Sequence, residues 1–182
     1  MSRVSMIRFL LFFLLLLSCT SVHSQQTAAD ATREKTRERL SQLLDRLKAT
    51  TKVTFRQSEK QPFNFVGILK EGLTNSDSFE IVISVTPKDT IGFRIYPHYK
   101  GGYLNVDKVK NGPAMMKQLL QLNDRTFLFW GADESGDVFI GYTFTLESGF
   151  PDEAIRIVLV SIANSDKFIG DMKPNIDGSS AP

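Results

Sequence analysis

The chain has 182 residues, 42% of them hydrophobic and 23% charged, which suits one globular domain with a sizeable core and leaves too little for two. Its net charge of +2 comes from Arg3 and Arg8 alone: no acid precedes Asp30, and the other 20 basic residues balance 20 acidic ones. A neutral body lacks the electrostatic pull on which nucleic-acid and anionic-membrane binding depend.

The first 24 residues read as an export signal. Arg3 and Arg8 precede an unbroken apolar run from Phe9 to Leu17, and small or polar residues follow at once. A membrane-spanning helix needs about 20 apolar residues, so this run is too short to remain as one. Two processing sites compete. Val22 and Ser24 stand at −3 and −1 of a cut after Ser24, whereas Leu16-Leu17-Ser18-Cys19 resembles a bacterial lipobox that would make Cys19 the acylated first residue. Cys19 is also the only cysteine, so no disulfide can form within the body. The expected address is therefore outside the cytoplasm, either periplasmic or membrane-anchored through Cys19.

Residues 25–31 are small and polar, and read as a tether. From 32 to 49, Leu40, Leu43, Leu44 and Leu47 recur at helical spacing. The preceding Arg33-Glu34-Lys35-Thr36-Arg37-Glu38-Arg39 alternates in sign, the pattern of a solvated helical face rather than a nucleic-acid patch. Four strands follow over 52–56, 63–69, 79–85 and 91–95. The clearest alternate through Phe79, Ile81, Ile83 and Val85, then Ile91, Phe93 and Ile95. Turn-forming residues separate them, so antiparallel hairpins are expected, with Pro97 as the end of the fourth strand.

Asn111-Gly112-Pro113 opens a second helix. Met115, Leu119 and Leu122 share one face, Met116 and Leu120 lie beside it, and Asn123 is a stop. Strands over 126–130 and 138–145 form a hairpin around 131–136. A last helix starts near Pro151 with Ile155, Val158, Leu159 and Ile162 as its stripe. Gly170 ends it, and a domain spanning 32–172 gives way to a disordered tail over 173–182. The order α-β-β-β-β-α-β-β-α implies an α+β fold, an antiparallel sheet with helices packed on one side.

No catalytic apparatus stands out. His98 is the sole histidine beyond His23 and reads as a solvent-touching loop residue; no serine sits in a Gly-x-Ser-x-Gly setting. One histidine without carboxylate partners makes a poor zinc site. Asp133-Glu134-Ser135-Gly136-Asp137 reads as a hairpin turn rather than a calcium loop, because Phe144 stands where the closing glutamate would be. Gly101-Gly102 lacks the Gly-Lys-Ser/Thr of a phosphate loop.

The stretch Met115-Met116-Lys117-Gln118-Leu119-Leu120-Gln121-Leu122-Asn123, with the aromatic strand 127–130, Gly136-Asp137-Val138 and the helix from Asp152, resembles the bacterial YbjN-like family. That family is described as sensory transduction regulators with a type III secretion chaperone-like fold. The resemblance implies an α+β domain that binds proteins and often pairs with itself, and it brings no catalytic residues, metal or cofactor. The expectation is a non-enzymatic protein-binding or chaperone-like module with an unidentified protein partner, or a homodimer. The alternative is a small-molecule or lipid carrier with an apolar pocket between sheet and helix.

Overall fold

The computed structural model describes residues 30–181. The export signal, Cys19, Ser24 and the first part of the tether lie outside them. A first helix, α1, covers 30–51 of the described chain, so the tether expected over 25–31 is overtaken by helix at Asp30 and Ala31. Strands β1 (Phe55–Gln57), β2 (Asn64–Leu69), β3 (Ser78–Val85), β4 (Thr90–Tyr99) and β5 (Gly102–Tyr103) come next. Then follow α2 (Gly112–Leu122), β6 (Phe129–Ala132), β7 (Val138–Thr145), α3 (Asp152–Ser161), a 3₁₀ turn (Ile162–Ser165) and α4 (Asp166–Ile176).

The architecture is the expected α+β arrangement. One sheet runs in the order β1-β2-β3-β4-β7-β6, with β5 paired to the end of β4, and all its pairs are antiparallel. Alternation sets its two faces. Phe79, Ile81, Ile83 and Val85 of β3 point inward with Ile91, Phe93 and Ile95 of β4 and Ile140 of β7, each at most 1% exposed. They pack against Leu40, Leu43, Leu44 and Leu47 of α1, Met115 and Leu119 of α2, Ile155 and Leu159 of α3, and Ile169 and Met172 of α4. Every helix therefore contributes its apolar stripe to the same side of the sheet.

Several details depart from the sequence reading. Pro97 does not end β4. Its carbonyl accepts from Leu104 N–H at 3.0 Å, so its nitrogen faces the same side, past the point where the β7 ladder stops at Ile95–Ile140. No ladder bond is lost there, and the strand continues to Tyr99. The short β5 after Gly101 adds a strand that has no apolar period to announce it. The first strand is also displaced: Lys52 adopts φ 57° at the end of α1, and regular pairing starts only at Phe55. Leu120, placed beside the stripe of α2, turns fully to solvent, 65% exposed.

The last helix is two. Ala163, Asn164 and Ser165 tighten into a 3₁₀ turn, and α4 restarts at Asp166. Gly170 is buried inside α4 rather than ending it, and the helix runs through Pro174 to Ile176, 7% exposed. The expected disordered tail from 173 thus begins inside core helix. Arg33 is likewise no solvated charge. Its Nε and Nη2 donate to Val85 O at 2.9 and 2.7 Å, and its guanidinium lies 3.6 Å from the centre of the Phe63 ring, pinning α1 to the end of β3. Among the described residues no helix is long and apolar enough to cross a membrane.

Candidate protein-docking face

Among the described residues all helices lie on one side, and the opposite face of the sheet carries only side chains of the strands. Its central row reads Arg56, Val66, Val82, Arg94, Gly141, Phe129 from β1 across to β6, each residue directly opposite the next. A second row holds Ile68, Glu80 and Tyr96 in register, and continues to Phe139 and its partner Gly131. Beyond it, Ser78, His98 and Tyr103 form the end of the face at β5.

Two glycines shape this surface. A Cβ on Gly141 would stand 2.3 Å from the ring of Phe129, and one on Gly131 would stand 3.1 Å from the ring of Phe139. The rings lie across the bare backbone of the neighbouring strand, and edge-to-face packing joins them at 5.9 Å between centroids. Phe139 is thereby 8% exposed without a helix above it, while Phe129 remains 39% and Tyr103 43% exposed. Tyr96 bridges the group, 6.2 Å from Phe139 and 5.7 Å from Tyr103.

Charge is set into this aromatic belt sparingly. The guanidinium of Arg94 lies 3.8 Å from the centre of Phe139 and 5.5 Å from that of Phe129. Glu80 accepts a hydrogen bond from the Tyr103 hydroxyl at 3.1 Å. Desolvation, reinforced by the negative charge of Glu80, pushes the Tyr103 phenol up to about 12. Tyr96 is raised too, first by burial and then by Asp133, a rim carboxylate.

His98 belongs to this face, which corrects the loop reading. It is the ninth residue of a ten-residue strand, half-buried under the Tyr103 ring at 4.5 Å, and its Nε2 is shielded from solvent without a hydrogen-bond partner. A strand carried past Pro97 is what takes it out of the loop. Among the described residues no group of three or more His, Cys, Asp or Glu is gathered to hold a metal ion. The turn at 133–137 is a hairpin turn as expected. Asp133 Oδ1 accepts from Ser135 N–H at 2.9 Å and Asp137 N–H at 3.0 Å, and Asn105 Nδ2 ties it down through Ser135 O and Asp137 Oδ1, both at 2.8 Å.

A second polar constellation escaped the sequence reading. Asp166, 4% exposed at the start of α4, accepts from the amides of Thr74 (2.6 Å), Asn75 (2.8 Å) and Ser76 (2.9 Å), and from the Ser76 hydroxyl. Burial opposes its charge, but the Ser76 hydroxyl and the three amides outweigh it and hold the carboxyl below its ordinary value. This contact locks the β2–β3 loop to the helical layer. Cys19 and the bond after Ser24 lie outside the described residues.

No protein-family model matches the chain, and no curated protein matches it significantly. Two solved structures are similar to it. The ExsC–ExsE complex matches at 12% identity and a TM-score of 0.44, over 72% of this chain and 91% of that one. YbjN from E. coli, of the family named on sequence grounds, matches at 13% identity and a TM-score of 0.43, over 71% of this chain and 84% of that one.

Proposed function

We propose that the chain is a non-enzymatic protein-binding module that is exported to the bacterial cell envelope and docks its partner on the helix-free face of its sheet. The observation that carries this is the one-sided placement of the helices. The four helices spend their apolar stripes on one face and leave on the other a belt of Tyr96, Tyr103, Phe129 and Phe139. Aromatic residues and arginine at the centre of a polar surface are the composition of a protein interface.

The envelope address rests on the leader. Arg3, Arg8 and the run Phe9 to Leu17 support export, and a processed start at Cys19 or Gln25 decides between an acylated and a free body. The carrier alternative draws no support from the packing. Phe65, Phe79 and Phe93 are 4%, 0% and 1% exposed and fill the space between sheet and helices that a ligand would need.

Site-specific photo-crosslinking in the intact cell tests the docking reading. A photoreactive residue at Val82, on the bare face, is expected to trap a protein partner, whereas one at Lys117, on α2, is not. Equal trapping from both positions, or none from Val82, would remove the sheet face as the docking surface. Intact mass of the mature protein tests the address, since an uncut leader is incompatible with it.

A further inference from the structure

We infer that the partner presents an acidic, extended segment to this face, with carboxylates four residues apart and an apolar side chain midway between them. The inference rests on the docking reading above and adds the chemistry of the occupant.

Arg94 is the starting point. Its guanidinium is stacked on Phe139 at 3.8 Å, yet among the described residues it makes no ion pair and no side-chain hydrogen bond. The ring contact holds the guanidinium on the face while its N–H donors have no partner among the described residues, and a guanidinium can receive a carboxylate in bidentate fashion. Arg56 stands in the same row three strands away, exposed and likewise without an ion pair or side-chain hydrogen bond among the described residues. Between them lie Val66 and Val82, both half-buried.

Strands in a sheet are about 4.8 Å apart, so the two arginines are separated by roughly 14 Å at their Cα atoms. An extended segment rises about 3.3 Å per residue and turns alternate side chains to the same side. Residues i and i+4 therefore stand about 13 Å apart on one face, with residue i+2 between them. The Arg94 guanidinium lies toward Phe139, so the acid at that end reaches it along its own side chain, the other acid meets Arg56, and an apolar i+2 covers Val66 and Val82. Cations over a shared apolar strip specify that order of side chains.

The same features disfavour a nucleic acid. The face of Phe139 is already taken by Arg94, so it is not free to stack a base. A nucleic acid carries a charge at every step and cannot avoid Glu80 in the adjacent row and Asp133 at the rim, whereas two carboxylates four residues apart place charge only where Arg56 and Arg94 stand. The body as a whole has no net charge to attract one.

The test uses the full chain, wild type and the variants Arg94→Gln, Arg56→Gln and Arg94→Lys, each checked for wild-type circular dichroism. The probe is a fluorescent twelve-residue peptide of alternating Thr and Val with Glu-Thr-Val-Thr-Glu at its centre. Its controls are the peptide with Gln for both Glu and a single-stranded oligonucleotide. We expect the Glu peptide to bind, the Gln peptide to bind at least tenfold more weakly, and either Arg→Gln change to weaken the Glu peptide at least tenfold while leaving the Gln peptide unchanged. Arg94→Lys is expected to fall short of wild type, since a lysine keeps the charge but loses the planar fork. Equal binding of Glu and Gln peptides, indifference to Arg94→Gln, no binding of the Glu peptide, or tighter binding of the oligonucleotide overturns the inference. If Val82 still traps a protein partner in the cell when the peptides fail, the docking face stands and only the acidic occupant falls.

Discussion

The side chain of Asn123 makes two hydrogen bonds with the main chain of Trp130, accepting from its N–H at 2.6 Å and donating to its C=O at 3.2 Å. Trp130 lies on β6, the outer strand at one edge of the sheet, and these are the groups it turns away from β7. The residue that caps α2 thus fills the place of a neighbouring strand. An unguarded edge invites pairing with another chain.

Asn123→Ala is accordingly expected to lower stability by about 1 kcal/mol, the net worth of a lost hydrogen-bond pair. Sedimentation should also show concentration-dependent self-association beyond that of the wild type. A variant with wild-type sedimentation and an unchanged urea midpoint would show that the edge needs no guard.

Asp166→Asn replaces an acceptor with a group that presents N–H to the amides of Thr74, Asn75 and Ser76. The expected loss is roughly 2–3 kcal/mol in urea unfolding, since buried donors are left unmatched. The pH dependence follows from the lowered carboxyl. The wild-type advantage is fully present above the unfolded carboxylate value near 3.8 and fades as pH falls through the lower folded value. An advantage that instead disappeared above pH 5 would contradict the assignment.

Gly141→Ala places a methyl where the Phe129 ring now lies, 2.3 Å from its nearest atom. The ring must lift off the sheet, at an expected cost of about 1–3 kcal/mol. Because that ring flanks Arg94, trapping from Val82 should fall as well. Wild-type stability in Gly141→Ala would mean that the ring does not rest on this strand.

Alkaline titration followed by tyrosinate absorbance should find Tyr103 still protonated when ordinary tyrosines have ionised, with its step at about 12. A phenol raised in the folded state contributes stability that is intact below its unfolded value near 10 and is lost as pH climbs towards 12. Tyr103→Phe should remove that step and flatten the fall in stability across this window. A step near 10 that vanishes in Tyr103→Phe would refute the link to Glu80.

The layers were legible because apolar periodicity survives in the chain. Phe79, Ile81, Ile83 and Val85 announce an inward strand face, and Leu40, Leu43, Leu44 and Leu47 announce the helix that covers it. The helix-free face was not legible. Arg94, Tyr96 and Phe139 occupy alternate positions that look like the polar side of ordinary strands, and a phenylalanine there reads as additional core. The available signal was Gly131 and Gly141 within strands, since glycine in a strand marks a close approach of something else. Pro97 misled because its effect depends on whether its nitrogen faces a carbonyl that still needs a donor; Leu104 stands opposite, and its C=O accepts from Val138 N–H instead. Asp166 and the loop at 74–76 are joined only in space.

That last junction has a consequence for timing. Three loop amides near the middle of the polypeptide await a carboxylate some ninety residues downstream, delivered by the final helix. Until α4 arrives the loop's donors stay exposed to water and the helical layer lacks Ile169 and Met172. The domain can therefore complete itself only once nearly all of the chain is available. A polypeptide whose last helix supplies both the carboxylate and part of the core closes its fold late in its synthesis.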